Sequence, residues 1–308
     1  MSAEGLAQRA RLPYDADLAL APETVAAGGA DAARPVVAGR GVAKRLLRRP
    51  TFVIGVAVVL FWALAALLWQ RLGFDPYAPA GAPLQAPSSE HLLGTDNLGR
   101  DMLARVLAGA RPTLQVAPLA TLLATAAGTA LGLVAGYFRG VVDDLLMRSF
   151  DVLYAFPGII AVLLVSSAFG HSLLTLVIAI AIFFTPIVAR TVRSAVLVET
   201  DKQYVEAARL QGERASWIVF REILPNVLPT VVVEGTIRLA YAIFVSAGLS
   251  FLGLGAQPPS PDWGLVVSQN RIFIQNAWWC AAFPALAIAT LVVSVNLIAD
   301  NLREVTHR

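Results

Sequence analysis

The segment Glu199-Thr200-Asp201-Lys202-Gln203-Tyr204-Val205-Glu206-Ala207-Ala208-Arg209-Leu210-Gln211-Gly212 is followed by Glu213 to Glu222 and closes on Ile223-Leu224-Pro225. It reads as a short helix, a turn, and a second short helix stopped by proline. Thr200 or Asp201 can cap the first helix. Gly212 can take positive φ where that helix ends. Pro225 suits the first turn of whatever follows, where its missing backbone donor is tolerated. Ala207 and Ala208 keep the helix surface low, so another protein can approach its backbone closely.

What lies on either side decides the fold. Six apolar runs, at about 52–69, 113–137, 150–169, 173–192, 227–251 and 278–296, are each near the roughly 20 residues a helix needs to cross hydrocarbon. The chain is 57% hydrophobic and 15% charged over 308 residues, against about 25% charged in soluble domains. Transmembrane β-strands would be shorter and strictly alternating, so the class is all-α and polytopic, with six transmembrane helices. Only Gly170-His171-Ser172 separates the third run from the fourth, which makes them a hairpin. Of the 24 Lys and Arg, 18 fall in segments 1–50, 138–149, 190–226 and 297–308. The positive-inside rule therefore places both termini, and the loop 193–226, in the cytoplasm. Trp69, Trp278 and Trp279 fall at outer interfaces, where indole rings anchor.

Other classes find little support. A Walker A loop needs Gly-Lys-Ser/Thr, whereas Lys44 and Lys202, the two lysines, follow Ala43 and Asp201. A single cysteine, Cys280, forbids an internal disulfide and reads as a packing residue, and His91, His171 and His307 are too scattered for a metal cluster. His171, in its turn, reads as a solvated loop residue. The net charge of +3 forms no basic stripe for nucleic acid. Residues 1–41 read as a disordered cytoplasmic tail without a signal-peptide core. A basic cluster, Lys44, Arg45, Arg48 and Arg49, follows it. The organisation is then a first span with an outer loop, 42–112, and a five-span core, 113–308.

Two outer segments are distinctive. His91-Leu92-Leu93-Gly94-Thr95-Asp96-Asn97-Leu98-Gly99-Arg100-Asp101 reads as a turn with Thr95 and Asp96 as capping groups, then an amphipathic helix ending near Pro112. His91, Asp96 and Asp101 could ligate a metal, but local capping and an Arg100–carboxylate pair are preferred. Gly248-Leu249-Ser250-Phe251-Leu252-Gly253-Leu254-Gly255-Ala256-Gln257-Pro258-Pro259-Ser260-Pro261-Asp262-Trp263-Gly264 turns tightly out of the membrane, stiffens through its prolines, and can set Trp263 at the interface. Within the fifth run, Glu234 and Arg238 share one helical face. They form either a structural ion pair or part of a translocation path meeting a zwitterionic peptide. Gly128, Gly132 and Gly136 suggest close helix packing within the chain.

These motifs carry a resemblance. Glu206, Ala207, Ala208, Gly212, Leu224 and Pro225 resemble the EAA loop of ABC importer permeases, with Glu222 standing in the family's isoleucine slot and Ile223 after it. Gly94, Thr95, Asp96, Gly99, Arg100 and Asp101 resemble an element of dipeptide, oligopeptide and nickel permeases, as do Gln257, Pro258, Pro259, Trp263 and Gly264. Over residues 42–308 the chain is similar to the C-type permease subunit of that family. The resemblance implies a type I ABC importer permease fold in the inner membrane, with the loop docking on an ATPase. It also implies a second, related permease subunit forming a heterodimer, two ATP-binding subunits that hold ATP and Mg, and an external substrate-binding protein. This chain would contact lipid and carry no catalytic residue, cofactor or metal. Di- or oligopeptides are the implied cargo, with nickel, haem or glutathione as alternatives. An ion-coupled secondary transporter would show internal repeats and midplane breaks; no repeat is visible, and Glu234 is its lone candidate acid.

Overall fold

Pro50 has the preset φ of a first helical turn, and the uncharged run behind it forms α1, Pro50–Leu68. The computed structural model describes residues 45–306 apart from 74 and 171. The expectations for the tail, Lys44, His171 and His307 lie outside the described residues. After α1 come α2 (Met102–Phe138), α3 (Gly140–Tyr154), α4 (Gly158–Phe169) and α5 (Leu173–Thr200). Then follow α6 (Gln203–Leu210), α7 (Leu224–Phe251), α8 (Trp263–Asn270) and α9 (Trp279–Thr306).

Five helices among the described residues are long and apolar enough to cross a membrane: α1, α2, α5, α9 and the run that ends in α7. The sixth expected span, 150–169, is divided. Residues up to Tyr154 belong to α3, whose Asp143, Asp144, Arg148 and Asp151 make it a polar-faced helix. Pro157 then lacks a donor for a continuing ladder, and α4 restarts at Gly158 for 12 residues, roughly 18 Å. The six-helix plan therefore has five unbroken crossings and one short one.

Two prolines do less than the sequence suggests. The helix expected to end near Pro112 runs on: α2 contains Pro112 and Pro118 and is roughly 55 Å long. Each proline removes one backbone bond, and burial of Pro112 among its neighbours holds the helix together. The second loop helix is likewise not stopped at Pro225. Ala215–Trp217 passes through a π-helical turn, Ile218–Ile223, straight into α7, with Pro225 in its first turn. The widened turn relieves the carbonyl that the proline ring would otherwise strike.

The centre is the parallel pair α2 and α5. Gly128, Gly132 and Gly136 face Val188, Val192 and Val196, one turn apart on each helix. A Cβ on any of the three glycines would fall within 2.8 Å of a valine side chain. Bare backbone is what lets the helices meet, which fulfils the packing expectation. Around this pair one core gathers Leu176, Ile180, Phe184, Ile243, Trp263 and Leu291. A second core lies under α6.

Ion pairs tie helix ends together at one end of the bundle: Arg49 with Glu304, Arg139 with Asp201, Arg190 with Asp151 and Arg193 with Asp143. This is the end that the basic residues assign to the cytoplasm.

Candidate functional site

At the cytoplasmic end, α6 is a small amphipathic helix. Val205 is fully buried and Ala208 nearly so, both packed with Ile218, Val219 and Ile223 in the second core. Ile223, displaced by one from the family slot, is thus the buried anchor, and Glu222 beside it is half-exposed. Glu206, Ala207, Arg209 and Leu210 point outward, with Leu210 84% exposed. Neither Thr200 nor Asp201 caps α6, contrary to expectation. Thr200 ends α5, and both side chains accept from Arg139 Nη2, at 2.7 and 2.6 Å. The helix starts without a side-chain cap at Lys202.

Its other end is closed as expected. Gly212 sits at φ +78°, its amide donates to Arg209 O (3.0 Å) and the Glu213 amide donates to Ala208 O (3.2 Å). That is a Schellman closure. Gly212→Ala, with nothing to clash against, would meet only the left-handed backbone penalty, about 1 kcal/mol. Hydrogen exchange at the Gly212 and Glu213 amides is expected to quicken about fivefold while the rest of the chain is unchanged. Behind the helix, the Tyr204 hydroxyl donates to Glu199 (2.8 Å) and accepts from Asn226 (3.2 Å). Burial, then the Glu199 carboxylate, push this phenol far up, so it stays a neutral donor. The network links the end of α5 to the start of α7 across α6.

At the opposite end, the first outer motif is a buried knot of charge. Asp96 is fully buried. One carboxylate oxygen accepts from the amides of Leu98 (2.8 Å) and Arg100 (2.9 Å); the other faces Arg100 Nε at 2.7 Å and Arg105 Nε at 3.5 Å. Thr95 and Asp96 close turns and do not cap α2, contrary to expectation; Asp101 caps it, accepting from the Ala104 amide (3.0 Å), and also meets His91 Nδ1 (2.9 Å). Gly94 and Gly99 both take positive φ, and a Cβ on Gly99 would lie 2.3 Å from Gly81 O.

Arg105, missed in the sequence, joins the two motifs by donating to Pro76 O (3.1 Å) and Ser260 O (3.4 Å). A cation in the first turn of a helix that opens the apolar core was the available signal. In the second motif Gln257 donates to Gly253 O and Gly255 O, the Pro258–Pro259 bond is cis, and Gly264 lies against Ala247 O. Asp262 caps α8 through the Leu265 amide, and burial pushes its carboxyl above the usual range. Trp263 is not interfacial. It is fully buried, donates to Val106 O (2.7 Å) and stacks edge-on against Trp62. Trp279 is buried too and donates to Thr95 O, beside Cys280.

Between the two ends, Glu234 and Arg238 pair with each other at 2.7 Å. Glu234 is therefore not the isolated acid an ion-coupled transporter would need.

Residues 128–307, more than half of the chain, match the family described as "Binding-protein-dependent transport system inner membrane component". The chain belongs to this family. The permease is 40% identical over 263 residues to the "Dipeptide transport system permease protein DppC" of Alkalihalophilus pseudofirmus, covering 85% of this chain and 86% of that one. It is 40% identical over 253 residues to the "Glutathione transport system permease protein GsiD" of Pectobacterium atrosepticum, covering 82% and 83%. Among solved structures, an inward-facing MetNI methionine ABC transporter matches with a TM-score of 0.56 at 21% identity, over 66% of this chain and 97% of that one. The likeness shows a shared fold. The permease is thus a multi-pass inner-membrane protein, as its composition indicated.

Proposed function

We propose that this permease forms half of the translocation route for di- and oligopeptides in an ATP-driven importer, and takes up the ATPase stroke through α6. The carrying observation is the division of α6. One face is locked by Val205 and Ala208 into the ends of α2, α5 and α7, while Glu206, Ala207 and Leu210 stand free. A push on the free face is delivered to three spans at once.

Two ATP-binding subunits holding ATP and Mg supply that push, a related permease subunit completes the route, and an external binding protein delivers cargo. No cofactor or metal is assigned to this chain. The names of the dipeptide and glutathione relatives support a peptide cargo, glutathione being itself a γ-glutamyl tripeptide. Glutathione import is the second reading, and competition between glutathione and α-linked peptides for uptake separates the two.

Deleting residues 204–214 is expected to abolish co-purification of the ATPase. Because the deletion also removes Val205 and Ala208 from the core, Leu210→Glu is the cleaner variant. It is expected to accumulate normally in membranes yet lose ATPase co-purification by about tenfold or more. Retained assembly in both variants would refute the coupling role.

A further inference from the structure

Glu234 lies ten residues into the 28-residue α7 and Arg238 one turn beyond it, near the middle of the bilayer. Their side chains are only 10% and 15% exposed. An ionic side chain at that depth costs about 2.5–3.5 kcal/mol, so it needs a reason. The ion pair itself does not hold helices together, because both residues belong to α7 and the pair closes on one helix.

The pair is also incompletely satisfied. The 2.7 Å approach has poor hydrogen-bond geometry, so Glu234 Oε1 and Arg238 Nε are buried without a hydrogen-bond partner among the described residues. A guanidinium has five N–H donors and a carboxylate about four acceptor sites. What Arg238 meets besides Glu234 is the faces of Phe184, 6.0 Å from its centre, and Tyr241, at 5.1 Å.

The rings continue toward the cytoplasm. Phe184 neighbours Phe183, which packs edge-on against Tyr154 (5.5 Å). Tyr154 lies under Arg190, itself paired with Asp151 at 2.6 Å. Two ion pairs, on α7 and on α5 with α3, thus bracket a row of aromatic faces running from mid-membrane to the inner end. In the outer knot, by contrast, both oxygens of Asp96 accept hydrogen bonds, and Arg105 Nε, 3.5 Å from Asp96, is left without a hydrogen-bond partner among the described residues.

We infer that the Glu234–Arg238 pair is a station on the translocation route that takes the two termini of a zwitterionic short peptide, Arg238 the carboxylate and Glu234 the ammonium group. A loose pair fits this role, since a ligand bearing both charges can replace the internal contact with two charge-assisted ones. The exposed Tyr241 gives a sequence-tolerant face for cargo side chains, and it and the buried Phe184 give cation–π support for Arg238. The inference rests on the peptide-import reading above.

The test is uptake by the complete complex in proteoliposomes, with one binding protein throughout, of a free dipeptide, its C-terminal amide and its N-acetyl form. Because the binding protein is constant, any change between variants arises in the permease. Arg238→Gln is expected to cut kcat/KM for the free peptide by about 10- to 100-fold and to narrow the preference for free over amidated peptide. Glu234→Gln should narrow the preference for free over acetylated peptide. Should Arg238→Gln fail to accumulate, Arg238→Lys keeps the charge without the planar fork and should raise KM while retaining the carboxylate preference; an unchanged KM overturns the inference. An E234Q/R238Q complex that assembles and keeps both wild-type ratios also overturns it, leaving peptide import intact. A wild-type complex that hydrolyses ATP but imports no peptide overturns both.

Discussion

Asp96→Ala is expected to remove most of the folded permease from the membrane. The residue has no exposed surface, and its carboxylate serves two arginines and two backbone amides. Without it Arg100 and Arg105, themselves 5% and 0% exposed, stay buried with no countercharge at that point. Breaking a buried pair by removing one partner costs about 3–5 kcal/mol, a large share of the roughly 5–15 kcal/mol that holds a domain folded. Asp96→Asn keeps an oxygen for the Leu98 and Arg100 amides and loses only the charge, so its loss should be smaller. Thermal melting in detergent ranks the variants: wild type highest, then Asn, then Ala. Equal melting of the Ala and Asn variants would show that the charge is unimportant. Asp96→Ala combined with Arg105→Met should recover part of the loss, because an apolar replacement removes the stranded cation.

This knot shows where a sequence can be read and where it cannot. The Arg100–Asp96 pair, four residues apart, is visible because helical and turn geometry are local. Arg105 is not, since its partners Pro76 and Ser260 are 29 and 155 residues away, and only the fold brings them to it. The same divide runs through the rest. Gly212 announces its left-handed turn because only glycine takes that backbone cheaply. Residue type alone puts Trp263 at a membrane interface, whereas the slot between α2 and α1 that buries it has no local signature. The broken third span does carry a signal, the Pro157-Gly158 dipeptide, which a reading by apolar run length passes over. Pro112 and Pro225 err the other way: as residue types they signal stops, yet packing and a π turn carry the helices through them. The Glu234–Arg238 pair is legible as a pair, but its aromatic surroundings on α5 are not.

Gly132→Leu should be the most damaging single change on the apolar side of the molecule. A Cβ there would lie 2.7 Å from Ala189 O and 2.8 Å from the Val192 Cβ. The first of these is backbone, which cannot rotate away, so the side chain must push α5 bodily from α2. Overpacking a well-filled core commonly costs about 1–3 kcal/mol, and a leucine wedged between two backbones belongs at or above the top of that range. Under the coupling role proposed for α6, the same helix pair would relay the ATPase stroke, so ATP-driven uptake should fall with stability. Gly136 provides the contrast. Its two nearest neighbours are Val196 side-chain atoms at 2.7 Å, with Arg193 O further off at 3.1 Å. Gly136→Ala should therefore be largely rescued by Val196→Ala, whereas Gly132→Leu should gain little from Val192→Ala. A Cβ added at Gly248 would meet nothing within 4 Å, so Gly248→Ala should not destabilise α7 and should gain about 0.5–1 kcal/mol of helix propensity. If Gly132→Leu and Gly248→Ala melt together, close backbone contact is not what holds α2 to α5. If only the first collapses, the glycine face of α2 is the seam on which the permease is assembled.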